Sequence, residues 1–129
     1  MNADQVGVVG LGLLGRGVAA CFLGHGFHVV GYARNAQEHL DARPHIERMV
    51  VEMADIAGGN PERKRSWSER FEPVTSYAAF ANCALVVESV PEDASTKQAV
   101  FDALEEVVSP VAILASNTSA IPISLLQQP

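Results

Sequence analysis

Gly10-Leu11-Gly12-Leu13-Leu14-Gly15 lies between an apolar run, Val6–Val9, and a stretch of helical periodicity from Leu13 to about Leu23. No other feature restricts the fold of this chain as strongly. G-x-G-x-x-G alone is a weak pattern, because glycine is common. It becomes specific when it follows a strand, opens a helix and leads to a second strand, as His28–Tyr32 provides. The first glycine permits a tight turn, the second lets a diphosphate approach the backbone, and the third lets the helix pack against the strand. The opening of the helix adds unpaired amides and a partial positive charge. The expectation is a βαβ unit that binds a dinucleotide, with Leu11, Leu13 and Leu14 bordering the ligand between the glycines.

The remaining chain continues the alternation. Apolar positions of the first helix are expected at Leu14, Val18, Cys21 and Phe22, and Gly24 and Gly26 end it. Ile46, Met49, Val50, Met53, Ile56 and Ala57 recur at helical spacing, with Pro44 suited to the first turn of that helix and Gly58-Gly59-Asn60-Pro61 closing it. Glu62-Arg63-Lys64-Arg65 and Ser66-Trp67-Ser68 read as a loop or a second helical arm. Further strands are predicted at Phe71–Thr75, Leu85–Ser89 and Val111–Ala115. Helical segments are predicted at Tyr77–Phe80, Asp93–Val108 and from Pro122 to Leu126. Strands alternating with helices predict an α/β fold, a doubly wound parallel sheet of the Rossmann dinucleotide-binding type. Such sheets carry six strands in two halves. Residues 1–129 therefore read as one dinucleotide-binding domain with an incomplete second half, truncated before the sixth strand.

Composition narrows the ligand. A net charge of -6 argues against nonspecific nucleic-acid binding, which needs Lys and Arg to neutralise phosphates. No apolar run reaches the roughly 20 residues of a membrane helix, and Met-Asn-Ala-Asp shows no basic leader. The expected localisation is cytoplasmic. Cys21 and Cys83 have no metal-like spacing, so no metal is expected, and each reads as a small buried hydrophobe.

The second strand leaves the cofactor open. An NAD site places Asp or Glu about 20 residues beyond the glycines, on the ribose hydroxyls. This strand ends at Ala33, the next acid is Glu38, and Arg34 stands where a guanidinium meets a 2′-phosphate through charge-assisted bonds. Arg34 is either a phosphate ligand that favours NADP or a solvated cation beside the adenine.

Two later stretches share the ligand-binding edge of the sheet. These are "VVESVPEDASTKQAVFDALEEVV", with Glu88, Glu92 and Lys97, and "ILASNTSAIPIS", with Asn117 and Ser119. With the glycine motif they resemble the NAD-binding domain of the 3-hydroxyacyl-CoA dehydrogenase family over nearly the whole chain. The resemblance implies an NAD cofactor and reversible hydride transfer between 3-hydroxyacyl-CoA and 3-oxoacyl-CoA. It adds Glu92, Lys97 and Ser119 to a cofactor set of Gly10, Leu11, Gly12, Leu13, Leu14, Gly15, Ala33 and Arg34. Ser119 would bond the substrate's 3-oxygen, and Asn117 would order the turn.

The resemblance also implies that the catalytic His, its Glu partner and a helical, dimer-forming substrate domain lie outside this chain. The chain alone is then expected to bind cofactor without turnover, as part of a homo-oligomer or joined to a completing domain. His25 and His28 flank the turn before the second strand, and His39 and His45 are expected at the surface. Arg63-Lys64-Arg65 reads as a solvated arm or as a contact for coenzyme A phosphates. Two other readings stay open. One is a dehydrogenase of the 3-hydroxyisobutyrate and 6-phosphogluconate type. The other is a non-catalytic nucleotide-binding module, which an uncovered fifth-strand edge favours.

Overall fold

The computed structural model describes residues 1–56, 58 and 61–127, with residues 63 and 64 described in backbone only. Five strands run in chain order: β1 (Asn2–Val9), β2 (His28–Tyr32), β3 (Phe71–Val74), β4 (Cys83–Glu88) and β5 (Ile113–Ser116). They form one parallel sheet in the order β3-β2-β1-β4-β5. The chain leaves β1 toward β2 on one side and later returns to β4 on the other. The carboxyl ends of β1 and β4 therefore flank a switch point, where open α/β sheets bind ligands.

Both sheet faces are covered, which explains the continuously apolar runs at residues 6–9 and 84–87. Val8 and Val29 point to one face and pack with Ala19, Leu23, Ile46 and Val50 of helices α1 (Leu13–Gly24) and α2 (Ala36–Ile56). Val9, Val30 and Val86 point to the other and pack with Phe80, Val100, Phe101 and Leu104, the last three from α4 (Ala94–Glu105). Successive residues reach opposite layers because the strand repeat is two. Short helices α3 (Pro61–Arg65) and α5 (Ile123–Leu126) and single 3-10 turns at Trp67–Glu69 and Tyr77–Phe80 complete the connections.

Three expectations about helices need correction. In α1 the buried face is Gly15, Ala19, Ala20, Leu23 and Gly24, whereas Leu14 and Cys21 are exposed. Small residues lie inward because α1 sits close to α2; a Cβ on Gly24 would lie 2.6 Å from the Met53 Cβ. Cys83 is buried as expected, and burial pushes its thiol up to about 11. In α2 the helix begins eight residues before Pro44, which sits inside it. Asn35 starts the helix by accepting from the Glu38 amide, and burial of Ala42, Ile46, Val50 and Ala54 offsets a proline cost of about 3 kcal/mol. Ala57, Gly59 and Asn60, expected at its end, lie outside the described residues. His39 is half-buried rather than superficial, with Nε2 2.8 Å from the Val74 carbonyl oxygen.

The polar segment after α2 is a helical arm, and Trp67 within it is buried beneath the Arg43 guanidinium. Arg65 pairs with Glu62 at 3.5 Å, while the side chains of Arg63 and Lys64 lie outside what is described. The first strand begins earlier than the apolar run because Asn2 already pairs with Cys83. Strands β3 to β5 fall within two residues of their predicted limits, and β5 forms an edge of the sheet.

Candidate functional site

The glycine turn follows β1 and enters α1 at the switch point. Gly10 has φ +97°, a left-handed conformation that disfavours any side chain, and its Cβ would lie 2.8 Å from the Ser89 carbonyl oxygen. A Cβ on Gly15 would overlap the Gly10 carbonyl oxygen, so that glycine lets the helix sit on the turn. Gly12 differs. A Cβ there would meet nothing within 4 Å. It is also the N-cap of α1, with no side chain bonding the helix start and no acid in the first turn. The first amides of a helix have no intrahelical partners and carry partial positive charge. Open space beside those amides fits a diphosphate. Leu11 is buried in the core, whereas Leu13 and Leu14 project outward, Leu13 at 81% exposure.

At the end of β2, Ala33 is buried and Arg34 is exposed. Glu38, in the first turn of α2, reaches back to this strand end. One carboxylate oxygen accepts from the Arg34 backbone amide at 3.0 Å, and the other from Nε at 2.8 Å and Nη2 at 2.5 Å. The side-chain hydrogen bond raises the Arg34 pKa, and the same bond lowers that of Glu38. The guanidinium is thus already paired, and the acid that sequence spacing placed too far along is at the strand end.

The second half of the crevice is a network of side chains. Glu88 ends β4 with no exposed surface, and Lys97 is 1% exposed. Lys97 Nζ donates to Glu88 Oε2 at 2.6 Å and to the Val90 carbonyl at 3.1 Å, and lies 3.6 Å from Glu92 Oε1. Glu88 also accepts from the Ser116 hydroxyl at 2.5 Å and the Val90 amide at 2.7 Å. This binds β4, α4 and β5 into one unit. The sequence carried a signal for this pair. Lys97, Val100, Phe101 and Leu104 share one helix face at i, i+3, i+4 and i+7, so the lysine had to enter the fold beside the apolar stripe.

Glu92 lies above that pair. It accepts from the Thr118 hydroxyl at 2.8 Å and from the Ser119 amide and hydroxyl at 3.0 and 3.3 Å. The Ser119 amide bond, with the Thr118 bond next, holds the Glu92 carboxyl down at about 2. Asn117 Nδ2 donates to the Ser89 hydroxyl at 3.2 Å, and its amide donates to the Glu88 carbonyl at 2.8 Å. Asp93 caps α4 through the Thr96 amide. Glu92, Lys97, Asn117 and Ser119 are therefore brought together at the ends of β4 and β5. Through Gly10 and Ser89 this cluster adjoins the glycine turn. Among the described residues no His, Cys, Asp and Glu cluster suited to a metal occurs, and no helix is long and apolar enough to cross a membrane.

A parallel 3-2-1-4-5 sheet with an open glycine turn at its switch point defines a dinucleotide-binding domain. The sequence profile described as 3-hydroxyacyl-CoA dehydrogenase, NAD binding domain, matches residues 5–129, and the chain belongs to that family. It is 36% identical over 122 residues to a probable 3-hydroxybutyryl-CoA dehydrogenase of Deinococcus radiodurans, covering 95% of this chain and 44% of that protein. It is 31% identical to 3-hydroxyadipyl-CoA dehydrogenase of Escherichia coli, covering 98% of this chain and 26% of the relative. The fold matches the crystal structure of 3-hydroxybutyryl-CoA dehydrogenase from Escherichia coli with a TM-score of 0.86 at 31% identity, over 98% of this chain and 27% of that one. The chain thus spans less than half the length of these proteins. The family match also decides between the two dehydrogenase groups that the glycine motif left open.

Proposed function

We propose that the complete polypeptide carrying this chain interconverts 3-hydroxyacyl-CoA and 3-oxoacyl-CoA, with NAD held by the residues described above. The observation that carries this reading is the juxtaposition of an open, uncapped helix mouth at Gly12 with the Glu92-held turn at Ser119. The nicotinamide, when bound, supplies the hydride acceptor or donor. The turn Gly10–Gly15 holds the diphosphate through backbone amides, while Ala33 and Arg34 border the adenosine ribose.

Glu92 positions Ser119 and borders the nicotinamide-side ribose. Lys97 acts from beneath, fixing Glu88 and attracting Glu92. Ser119 turns its hydroxyl proton from Glu92 to the substrate's 3-oxygen, while the Ser119 amide stays on Glu92. Negative charge grows on that oxygen as hydride reaches the carbon that bears it in a 3-oxo substrate. A donor aimed at a developing oxyanion lowers that barrier. Asn117 keeps the turn in register with Ser89. The proton of the 3-hydroxyl requires a base.

The test is reduction of acetoacetyl-CoA by the complete native protein, followed as loss of NADH absorbance. Turnover is expected, and Ser119→Ala is expected to lower kcat by about a hundredfold, the usual cost of removing one such donor. A folded, NADH-binding protein that reduces no 3-oxoacyl-CoA would refute the substrate assignment.

A further inference from the structure

We propose that Glu38, by closing on Arg34, is the residue that sets preference for NAD over NADP in this chain. The proposal rests on the dinucleotide reading above and concerns one end of the same site.

The strand position that carries a ribose-binding acid in NAD sites is Ala33, which has no charge to repel a phosphate. Arg34 follows it with an exposed, permanently charged fork. An unpaired guanidinium there would accept a 2′-phosphate in bidentate fashion, and NADP would gain. The geometry reduces that opportunity. Glu38 accepts from the backbone amide, Nε and Nη2 of Arg34, so the Nε–Nη2 edge of the fork is occupied and its charge is balanced. A phosphate dianion bonding that edge would have to displace the carboxylate, and one bonding elsewhere on the fork would lie near it. Like charges at such distances oppose one another. The ribose hydroxyls of NAD need no such displacement.

The pair is held in place from two sides. Asn35 accepts from the Glu38 amide, so the same turn that starts α2 also aims the Glu38 side chain back at the strand. His39, on the next position, is anchored to the end of β3 through the Val74 carbonyl, which also accepts from the Ala33 amide. A purely structural role for Glu38, as a helix-start acid, predicts a loss of stability on substitution and no change in cofactor choice. A selectivity role predicts a change in choice that depends on Arg34.

Titration of NADH and NADPH by nucleotide fluorescence, at low salt, on the complete native protein separates these outcomes. Wild type is expected to favour NADH by at least about tenfold, because Glu38 already balances the guanidinium that would draw a 2′-phosphate. Glu38→Gln keeps an acceptor for the Arg34 amide and removes the charge. It is expected to tighten NADPH by about tenfold while NADH stays within about threefold, since only the 2′-phosphate gains an ionic partner. The NADPH gain should vanish in Arg34→Ala/Glu38→Gln. An NADPH-to-NADH ratio that stays within about twofold of wild type in Glu38→Gln would overturn the proposal while leaving the NAD site intact, since a change that small is what an exposed ion pair with no ligand role gives. Failure of the folded wild type to bind either nucleotide would overturn the dinucleotide reading itself, and the proposal with it.

Discussion

The Gly10–Gly15 turn meets the crevice with backbone, whereas the ends of β4 and β5 meet it with polar side chains already bonded to one another. On the first side the ligand-facing groups are amides left unpaired by the start of α1, with open space at Gly12. On the second side Glu88 and Lys97 are closed beneath the surface with Ser116 half-buried against them, and Glu92 spends its acceptors on Thr118 and Ser119. The first region is thus prepared by what is missing. The second is prepared by a scaffold of charges that holds one exposed hydroxyl in place.

The sharpest break in this comparison comes from the buried pair. Lys97→Met leaves the Glu88 carboxylate buried without its cation, and removing one partner of a buried pair costs about 3–5 kcal/mol. That is a large part of the roughly 5–15 kcal/mol that holds a domain together. Urea denaturation should show the loss as a lower midpoint, and Lys97→Met/Glu88→Leu should recover much of it. A Lys97→Met protein as stable as wild type would mean that the scaffold is not held by charge.

A smaller effect distinguishes the exposed layer. The Glu92 carboxyl is depressed from its ordinary 4.5 to about 2 by its bonds to the Ser119 turn. A depressed folded pKa contributes stability above the unfolded value and loses it as pH falls through the folded one. The melting temperature of wild type should therefore fall more steeply between pH 4.5 and 2 than that of Glu92→Gln. Parallel curves would show that Glu92 does not hold the turn.

The two regions were also unequally legible. Gly10 and Gly15 had readable roles because a missing side chain allows few interpretations once a strand and a helix flank it. The whole parallel sheet followed from the alternation of apolar strands and amphipathic helices. The start of α2 was not legible, since Pro44 offered a local signal that Asn35 and the buried stripe override. The face of α1 was misread for a related reason. Close packing against α2 selects glycine and alanine, which hydrophobic periodicity undervalues. At the second site, residue types were visible but their pairings were not. Whether Lys97 meets Glu88, Glu92 or a ligand depends on a strand end and a helix turn brought together from nine residues apart. Glu38 was passed over because spacing along the chain put it beyond β2, while the helix turn brings it back to Arg34.

The most direct test of the central claim is an NADH titration of Gly12→Ser beside wild type, with thermal melts of both. Serine is a good N-cap, its side chain can bond the free amides of α1, and its Cβ fills the open space beside them. The account predicts stability unchanged or raised by a few tenths of a kcal/mol, and NADH affinity lowered by at least about tenfold as the amides lose the diphosphate. Equal NADH affinity in the two proteins, both fully folded, would contradict it.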